Sequence, residues 1–538
     1  MPVNPKQILI GSESREKLFR GIERVYEVVS TTLGPRGSTV AIDREWGEPI
    51  VVGDGVTVAR EIELKDRFED MGAQLVKGAA SRTNDIGGDG TTGATILTYA
   101  IAKEALKNVA AGANARIMRK GIEKSVEAVV SFLESKAKKV ETDEQVRQIA
   151  TISAQNDEIG ELVSNAIKKL GRKAVITVEE SKSSLTSIEY KEGLQFDQGF
   201  MNPYFMTNEA FKEAVIDNAH LMIFDGKLND LQSFVPVIDN LIKNDHANNF
   251  VIVAEEISPQ ILAILLANKL KGTLNCLAIQ SPYNAERRRA FLGDLAVLTG
   301  ATIISGESGL SLKDVKFEHL GRCGNVTSTD KSTVITDGMG EKTDLEARLA
   351  GIEKELENLD ISEFDRERLL ERQAKLTSGI AVINVGASSE TEMREKKERV
   401  IDATSATRAA IEEGIVPGGE TALLWAREAL DGIAVQSDEE RLGVKIVREA
   451  LEFPFRRLMD NSGYDPGKML GLFEGKAKWG EGIDVIDGQL KDLFKAGIID
   501  PVKVVRSMLE NAASVATMVM TTNASITPEP KPEKGNDN

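Results

Sequence analysis

Residues 87–95 read GGDGTTGAT, four glycines and three threonines around one aspartate. Glycines let a backbone turn freely and approach a ligand closely. The N–H groups that open a following helix are unpaired and, with the helix dipole, favour an anion. Thr91 and Thr92 add hydroxyls suited to phosphate. Asp89 repels a bare phosphate but suits one bridged by Mg²⁺, which is held by one or two carboxylates plus substrate phosphates. The loop is therefore either a phosphate cradle or a plain capped helix with Asp89 or Thr91 as N-cap. It is not a P-loop, because no GKT or GKS is present. Two further aspartates stand near such patterns. Asp54, in VVGDGVTVAR, reads by itself as a turn after a strand, and Asp402, in RVIDATSATRAA, as a polar residue at a helix edge.

A second group of residues is apolar. FDQGFMNPYFM carries Phe196, Phe200, Met201, Tyr204, Phe205 and Met206 in a stretch broken by Gly and Pro. LQSFVPVIDNLI has a stripe of Leu231, Val235 and Ile238 around Pro236, and PQILAILLANKL is apolar nearly all round. A helix apolar on every side is usually buried. The other reading is an exposed patch that binds protein, and pattern alone does not separate the two.

Composition narrows the classes. The 67 Lys and Arg against 84 Asp and Glu give a net charge of −17, and aromatics are 5%. Both argue against a nucleic-acid binder, which needs a basic patch and stacking surfaces. No apolar run approaches the roughly 18 residues of a membrane span. The start, MPVNPKQILIG, lacks a basic region followed by an apolar core, so a cytoplasmic protein is expected, in a bacterial cytosol or an organelle matrix. Two cysteines without a CxxC and three scattered histidines point to neither a disulfide framework nor a zinc site.

The elements that must position these residues follow from periodicity. Leu18, Ile22, Val25, Val29 and Leu33 form one helix face from Ser14 to Leu33, with Gly34 as the expected C-terminal cap. STVAIDREWGEPIVVGDG reads as two short strands, and a second helix spans about 65–85. A third follows the glycine loop, with Ala94, Leu97, Ile101 and Ala105 on one face. The middle of the chain holds β-rich runs (AVITVEES, TSIEYKE, HLMIFDG, NFVIVAEE, NCLAIQSP), the last three separated by helical patterns as in a layered α/β domain. Residues 341–376 read as a charged helical hairpin and IAVINVGA as a strand, while the tail TPEPKPEKGNDN reads as disordered.

Taken in order, TTLGPRG, DGVTVAREIELKDRFEDMGAQLVK, NDIGGDGTTGAT, ISAQNDEIG, EGLQFDQGFMNPYF, ERRRAFLGDLAVLTG, TRAAIEEGIVPGG and AGIIDPVKV closely resemble the GroEL-type (group I) chaperonins over about residues 5–525. The resemblance implies a multidomain α+β, GroEL-like fold. A mainly helical equatorial ATPase domain would take 1–138 and 414–526, and a small α/β intermediate hinge 139–192 and 380–413. A layered α/β apical domain would take 193–379, with 527–538 as the tail. It implies an ATP-dependent chaperone: a homo-oligomer of two stacked seven-membered rings that encloses non-native polypeptide under a GroES-type lid, with ATP, Mg²⁺ and K⁺ as cofactors.

Carried over position by position, the resemblance implies a nucleotide site at Thr32, Leu33, Gly34, Pro35, Gly53, Asp89, Gly90, Thr91, Thr92, Gly93, Ser153, Gly418, Gly419, Asp484, Val485, Ile486 and Asp500. Asp89 would hold Mg²⁺, Asp402 would activate the attacking water, and Asp54 would be the second supporting carboxylate. Polypeptide and lid would bind at Phe200, Tyr204, Phe205, Val235, Ile238, Leu262 and Leu266, and rings would meet at Arg456 and Asp465. The chain departs from the family pattern at Gly53, a lysine in the family; at Gly93, a threonine; at Glu420, the third glycine of a GGG turn; and at Gln198, an arginine whose ion pair would use Glu390. A hinge proline is also replaced near Lys139, and the Gly-Met tail repeat is absent. Gly53 and Gly93 keep open a second reading, a related holdase with weak or uncoupled ATPase.

Overall fold

The structure is a computed structural model and describes residues 5–43, 49–172, 174–181, 183–209, 211–243, 249–305, 309–357, 362–377 and 379–529. The chain is multidomain α+β and divides into two compact units. One comprises Met1–Lys168, Glu180–Leu185 and Val385–Asn538, the other Lys169–Glu179 and Thr186–Asn384.

The first unit is built on helices Ser12–Val29, Arg67–Gly87, Thr91–Ala110, Ala115–Lys136, Asp438–Ala450 and Val502–Thr521. Their apolar faces meet in one core that includes Leu18, Ile22, Val25, Val29, Ala94, Leu97, Ile101 and Ala105, the stripes that period 3.6 marks in the sequence. The Thr91–Ala110 helix is buried over most of its length, so its N-terminus is held fixed at the glycine loop. Helices Ser12–Val29 and Arg67–Gly87 cross where neither has a side chain. A Cβ on Gly21 would stand 1.8 Å from the Glu69 carbonyl oxygen, and one on Gly72 1.9 Å from that of Leu18. Gly72→Ala is therefore expected to destabilise the unit by about 3 kcal/mol, because both obstacles are backbone and cannot rotate away. Chemical denaturation tests this; a loss below about 0.5 kcal/mol, the size of a surface change, would show that the helices part freely.

The Ser12–Val29 helix ends earlier than its apolar stripe suggests. A 3-10 turn, Ser30–Thr32, follows it, and Leu33 is extended. Gly34 lies beyond the cap at φ +84°, where a Cβ would strike Leu458 Cδ1 at 2.2 Å. The two strands of the next segment are Val40–Ile42 and Ile50–Val52, paired antiparallel. The chain ends also meet: Lys6–Ile10 pairs antiparallel with Ala524–Pro528. Thr527 and Pro528, expected in a disordered tail, are thus ladder residues opposite Gln7 and Lys6. Residues 530–538 lie outside the described residues.

The second unit centres on a seven-stranded sheet. Ala214–Leu228, Asn249–Ile257 and Asn275–Gln280 run parallel, and their buried runs read as continuous apolar sequence. Gly321–Ser328, Thr333–Gly338 and Gly193–Phe196 extend it antiparallel. Helices Leu231–Lys243, Pro259–Leu270 and Ala285–Thr299 alternate with the strands. The charged hairpin appears as helices Lys342–Leu356 and Glu363–Thr377 around a small core of Ile352, Leu369 and Leu376. Val175–Glu180, Ile380–Val385 and Ser187–Lys191 form a separate three-stranded sheet. No helix among the described residues is long and apolar enough to cross a membrane.

Candidate functional site

The glycine loop opens the Thr91–Ala110 helix without a side-chain cap. Gly88 closes the preceding helix at φ +72°, and Gly90 occupies the N-cap at φ +89°. Neither Asp89 nor Thr91 is the cap. The Asp89 carboxylate instead accepts from Gly90 N at 2.5 Å and from the Ser153 hydroxyl at 3.3 Å. The first helical bond runs from Ala94 N to Gly90 O, which leaves the N–H groups of Thr91, Thr92 and Gly93 without a helical partner. Thr91 Oγ1 is buried and has no hydrogen-bond partner among the described residues.

Four other segments converge on this loop. The first is the turn that carries Thr32, Leu33, Gly34 and Pro35. Thr32 Oγ1 donates to Val29 O and lies 3.4 Å from Thr92 Oγ1. Asn461 donates to the carbonyls of Ser30 and Leu33, and Arg36 donates to those of Ser462 and Ile486. These bonds bring the turn beside Asp484, Val485 and Ile486. Second, Asp54 caps the helix Gly55–Glu61, accepting from Val56 N and Thr57 N. Gly55 packs so closely that a Cβ would stand 2.2 Å from Thr92 Oγ1.

Third, Asp402 sits on the helix Glu390–Glu413. Burial and the carboxylates of Asp89, Asp54 and Glu398 raise its carboxyl well above the usual range, with Arg60 opposing. Fourth, Ile415–Pro417 pairs antiparallel with Ile499–Pro501, and this sets Gly418 against Asp500: a Cβ on Gly418 would stand 3.0 Å from Asp500 Oδ1. Burial and Asp89 push the Asp500 carboxyl up to about 7.

These carboxyls share one setting. Asp89 is open to solvent, and Asp402 and Asp500 are partly so, yet desolvation is the largest cause of the rise in each. A group ringed by protein but still reached by water lines a cleft, and perturbed carboxyls in clefts mark functional sites. No group of three or more His, Cys, Asp or Glu among the described residues could hold a metal by itself. A divalent ion here would lean on Asp89 and on oxygens of its ligand.

The sequence reading missed one carboxylate of this site, Glu398, and met another, Glu420, only as a departure from a glycine turn. Glu398 lies one turn before Asp402; the Thr57 hydroxyl is 3.4 Å from both its oxygens, and burial with Asp54 pushes it up to about 7. The i,i+4 spacing in ERVID was the available signal. Glu420 faces Gly93 across the loop. Of the expected residues, Asp484 is already engaged: it accepts from Ile486 N and is paired with Lys491 at 2.7 Å. Val485 is buried, Ile486 is exposed, and Gly53 is an exposed residue before Asp54. Arg456 pairs with Glu452, the N-cap of its helix, and Asp465 caps the helix Pro466–Lys476; among the described residues neither is tied to the cleft by a hydrogen bond or ion pair.

In the second unit the apolar candidates divide. Tyr204 is 73% exposed and Val235 37%. Phe200, Leu262 and Leu266 are partly buried against the core. Phe205 and Ile238 are core residues at 0% and 3% exposure, so their side chains are not presented to a partner. The Pro259–Leu270 helix buries Ile261 and Leu265 and leaves Leu262 and Leu266 partly exposed, which is less burial than its all-round apolar sequence implied.

Comparison with known proteins agrees with this architecture. Two crystal forms of the chaperonin gp146 from the bacteriophage EL 2 (Pseudomonas aeruginosa), both obtained in the presence of ATP-BeFx, match with TM-scores of 0.67 and 0.63. They are 22% and 20% identical, and each match covers 97% of this chain and 99% of that one. The sequence model of the TCP-1/cpn60 chaperonin family matches residues 25–530. The chain belongs to the TCP-1/cpn60 chaperonin family.

Proposed function

We propose that the cleft binds ATP and that the chain is a subunit of an ATP-driven chaperone ring. The observation that carries this reading is the convergence of the unpartnered Thr91 hydroxyl and the free N–H groups of a long buried helix with carboxyls that burial has raised. The helix start receives phosphate. Thr32, Thr91 and Thr92 supply hydroxyls, and the 32–35 turn with Asp484, Val485 and Ile486 forms one wall. Gly418 and Gly419 let the chain approach Asp500, whose carboxyl suits the hydroxyls of a nucleoside. Asp89 holds Mg²⁺, which when bound neutralises phosphate charge. The carbonyl of Gly53 remains available to K⁺ although the lysine is gone. Asp402 orients the attacking water and takes its proton, with Asp54 in support.

On the same reading, Tyr204 and Val235, with the exposed parts of Phe200, Leu262 and Leu266, capture non-native chains by burying apolar area at roughly 25 cal/mol per Å². A GroES-type lid would compete for that surface. ATP then acts by preferring the state in which the surface is withdrawn, since a ligand shifts an equilibrium only by its differential affinity. Stacked seven-membered rings and a cytoplasmic setting belong to the same proposal. The competing reading, a holdase with weak turnover, draws on Gly53 and Gly93.

The test is Mg²⁺-dependent ATP turnover by the assembled protein, together with refolding of a denatured client, with and without a GroES-type lid. Turnover that responds to lid and a client yield that depends on ATP are expected. Nucleotide binding with client capture but negligible turnover would replace the folding machine by the holdase.

A further inference from the structure

Glu420 holds φ +59°, the left-handed region that glycine enters freely and a longer side chain enters at a steric cost. Such strain persists where the surrounding structure enforces it, and it concentrates at functional sites. The Glu420 Oε1 lies 3.6 Å from the place where a Cβ on Gly93 would stand. Met508 Sδ is 2.3 Å from the same place. Residue 93 therefore has no room for a side chain without movement of Met508, and the space beside the third residue of the Thr91–Ala110 helix belongs to Glu420 and Met508. The neighbouring Thr91 hydroxyl is the buried, unpartnered group that points to a ligand here. Among the described residues the Glu420 carboxyl has neither a hydrogen bond nor an ion pair.

We propose that Glu420 is a further contact of the nucleotide site, its carboxyl meeting a phosphate oxygen at the first turn of the Thr91–Ala110 helix, on the side that a residue-93 side chain would otherwise occupy. This rests on the ATP reading of the cleft. An ionised carboxylate would repel phosphate, whereas a neutral carboxyl donates a hydrogen bond. Burial, with the carboxylates of Asp500 and Asp89, pushes Glu420 up to about 8, and Met508, which borders the same space beside Gly93, is uncharged. A raised carboxyl favours its protonated form, the one that can donate. It replaces the hydroxyl donor that Gly93 lacks.

Calorimetric titration of Mg²⁺-ATP into the full-length assembled protein tests the contact. Glu420→Gly is expected to weaken binding about tenfold at neutral pH, the size of a lost hydrogen bond to a charged group. Glycine suits φ +59°, so this variant relieves strain and its loss cannot be put down to misfolding. Glu420→Gln keeps a donor and is expected to recover most of that loss. Equal affinity of wild type and Glu420→Gly would overturn the contact while leaving the ATP reading intact. Tighter binding by Glu420→Gln than by wild type would also overturn it, by showing an ionised, repelling carboxylate. A wild type that binds no nucleotide removes both.

Discussion

Asp402→Ala is expected to keep ATP affinity and to lose Mg²⁺-dependent turnover by about 100-fold or more, the usual contribution of a positioned general base. Affinity should survive because the groups proposed to face phosphate, the helix start and Thr91, lie on another segment. Turnover falls because, among the described residues, the other carboxyls that raise Asp402 are already committed. Asp89 accepts from Gly90 and Ser153, Asp54 caps its helix, and Glu398 faces the Thr57 hydroxyl. The pH profile sharpens the test. A base must be ionised to accept a proton, and burial with three neighbouring carboxylates raises Asp402. Turnover should therefore climb with pH on its acid side, over a window above the ordinary carboxylate range. Glu398→Gln removes one of the raising charges and should move that limb to lower pH. Steady-state phosphate release across pH measures both effects. Near-wild-type turnover in Asp402→Ala would remove Asp402 from the water-activating role, and an unmoved limb in Glu398→Gln would show that Glu398 does not act on it.

The sequence carried the helices of the first unit well, because each has a continuous buried stripe. Leu18, Ile22, Val25 and Val29 are all core residues. It also carried the parallel strands of the second unit, whose apolar runs are buried within a mixed sheet. It overran where an apolar residue continued a stripe past a backbone break: Leu33 completes the pattern, yet the chain is already extended there. Charged and proline-rich composition hid the strand Ala524–Pro528, because what holds it is its ladder to Lys6–Ile10, a partner more than 500 positions away. The site was legible as motifs with open alternatives, and a family resemblance was needed to join them. Gly418 and Asp500 meet only through a ladder between distant strands. Glu420 was visible as a departure from a glycine turn, but its role depends on Met508, and no local pattern links the two.

The nucleotide-free protein is expected to lose thermal stability as pH rises from about 6 to about 8.5, and substitutions in the cleft should flatten that slope. Asp500 and Glu398 are pushed up to about 7 and Glu420 to about 8, whereas an unfolded chain ionises such groups near about 4. Between these limits the folded state holds protons that the unfolded state has released. Stability must then fall with rising pH, because its slope follows protons bound unfolded minus protons bound folded. The contribution is complete below about pH 4 and lost as pH passes through the raised values. Carboxylates that are lowered by their partners, such as Asp66 beside Lys17 and Glu413 beside Arg506, act oppositely but below the ordinary carboxylate range, so they do not cancel the trend at neutral pH. The comparison is scanning calorimetry of wild type, Glu398→Gln and Glu420→Gln in chelator, each across pH. The variants should be more stable than wild type at the alkaline end and less dependent on pH. Mg²⁺-ATP should steepen stabilisation at that end, since a divalent cation offsets charges that the empty cleft leaves facing one another. Parallel slopes in all three proteins would mean that these carboxyls ionise in the folded state as they do in solution, and the cleft would then lack the electrostatic tension on which its reading as a cation-assisted phosphate site depends.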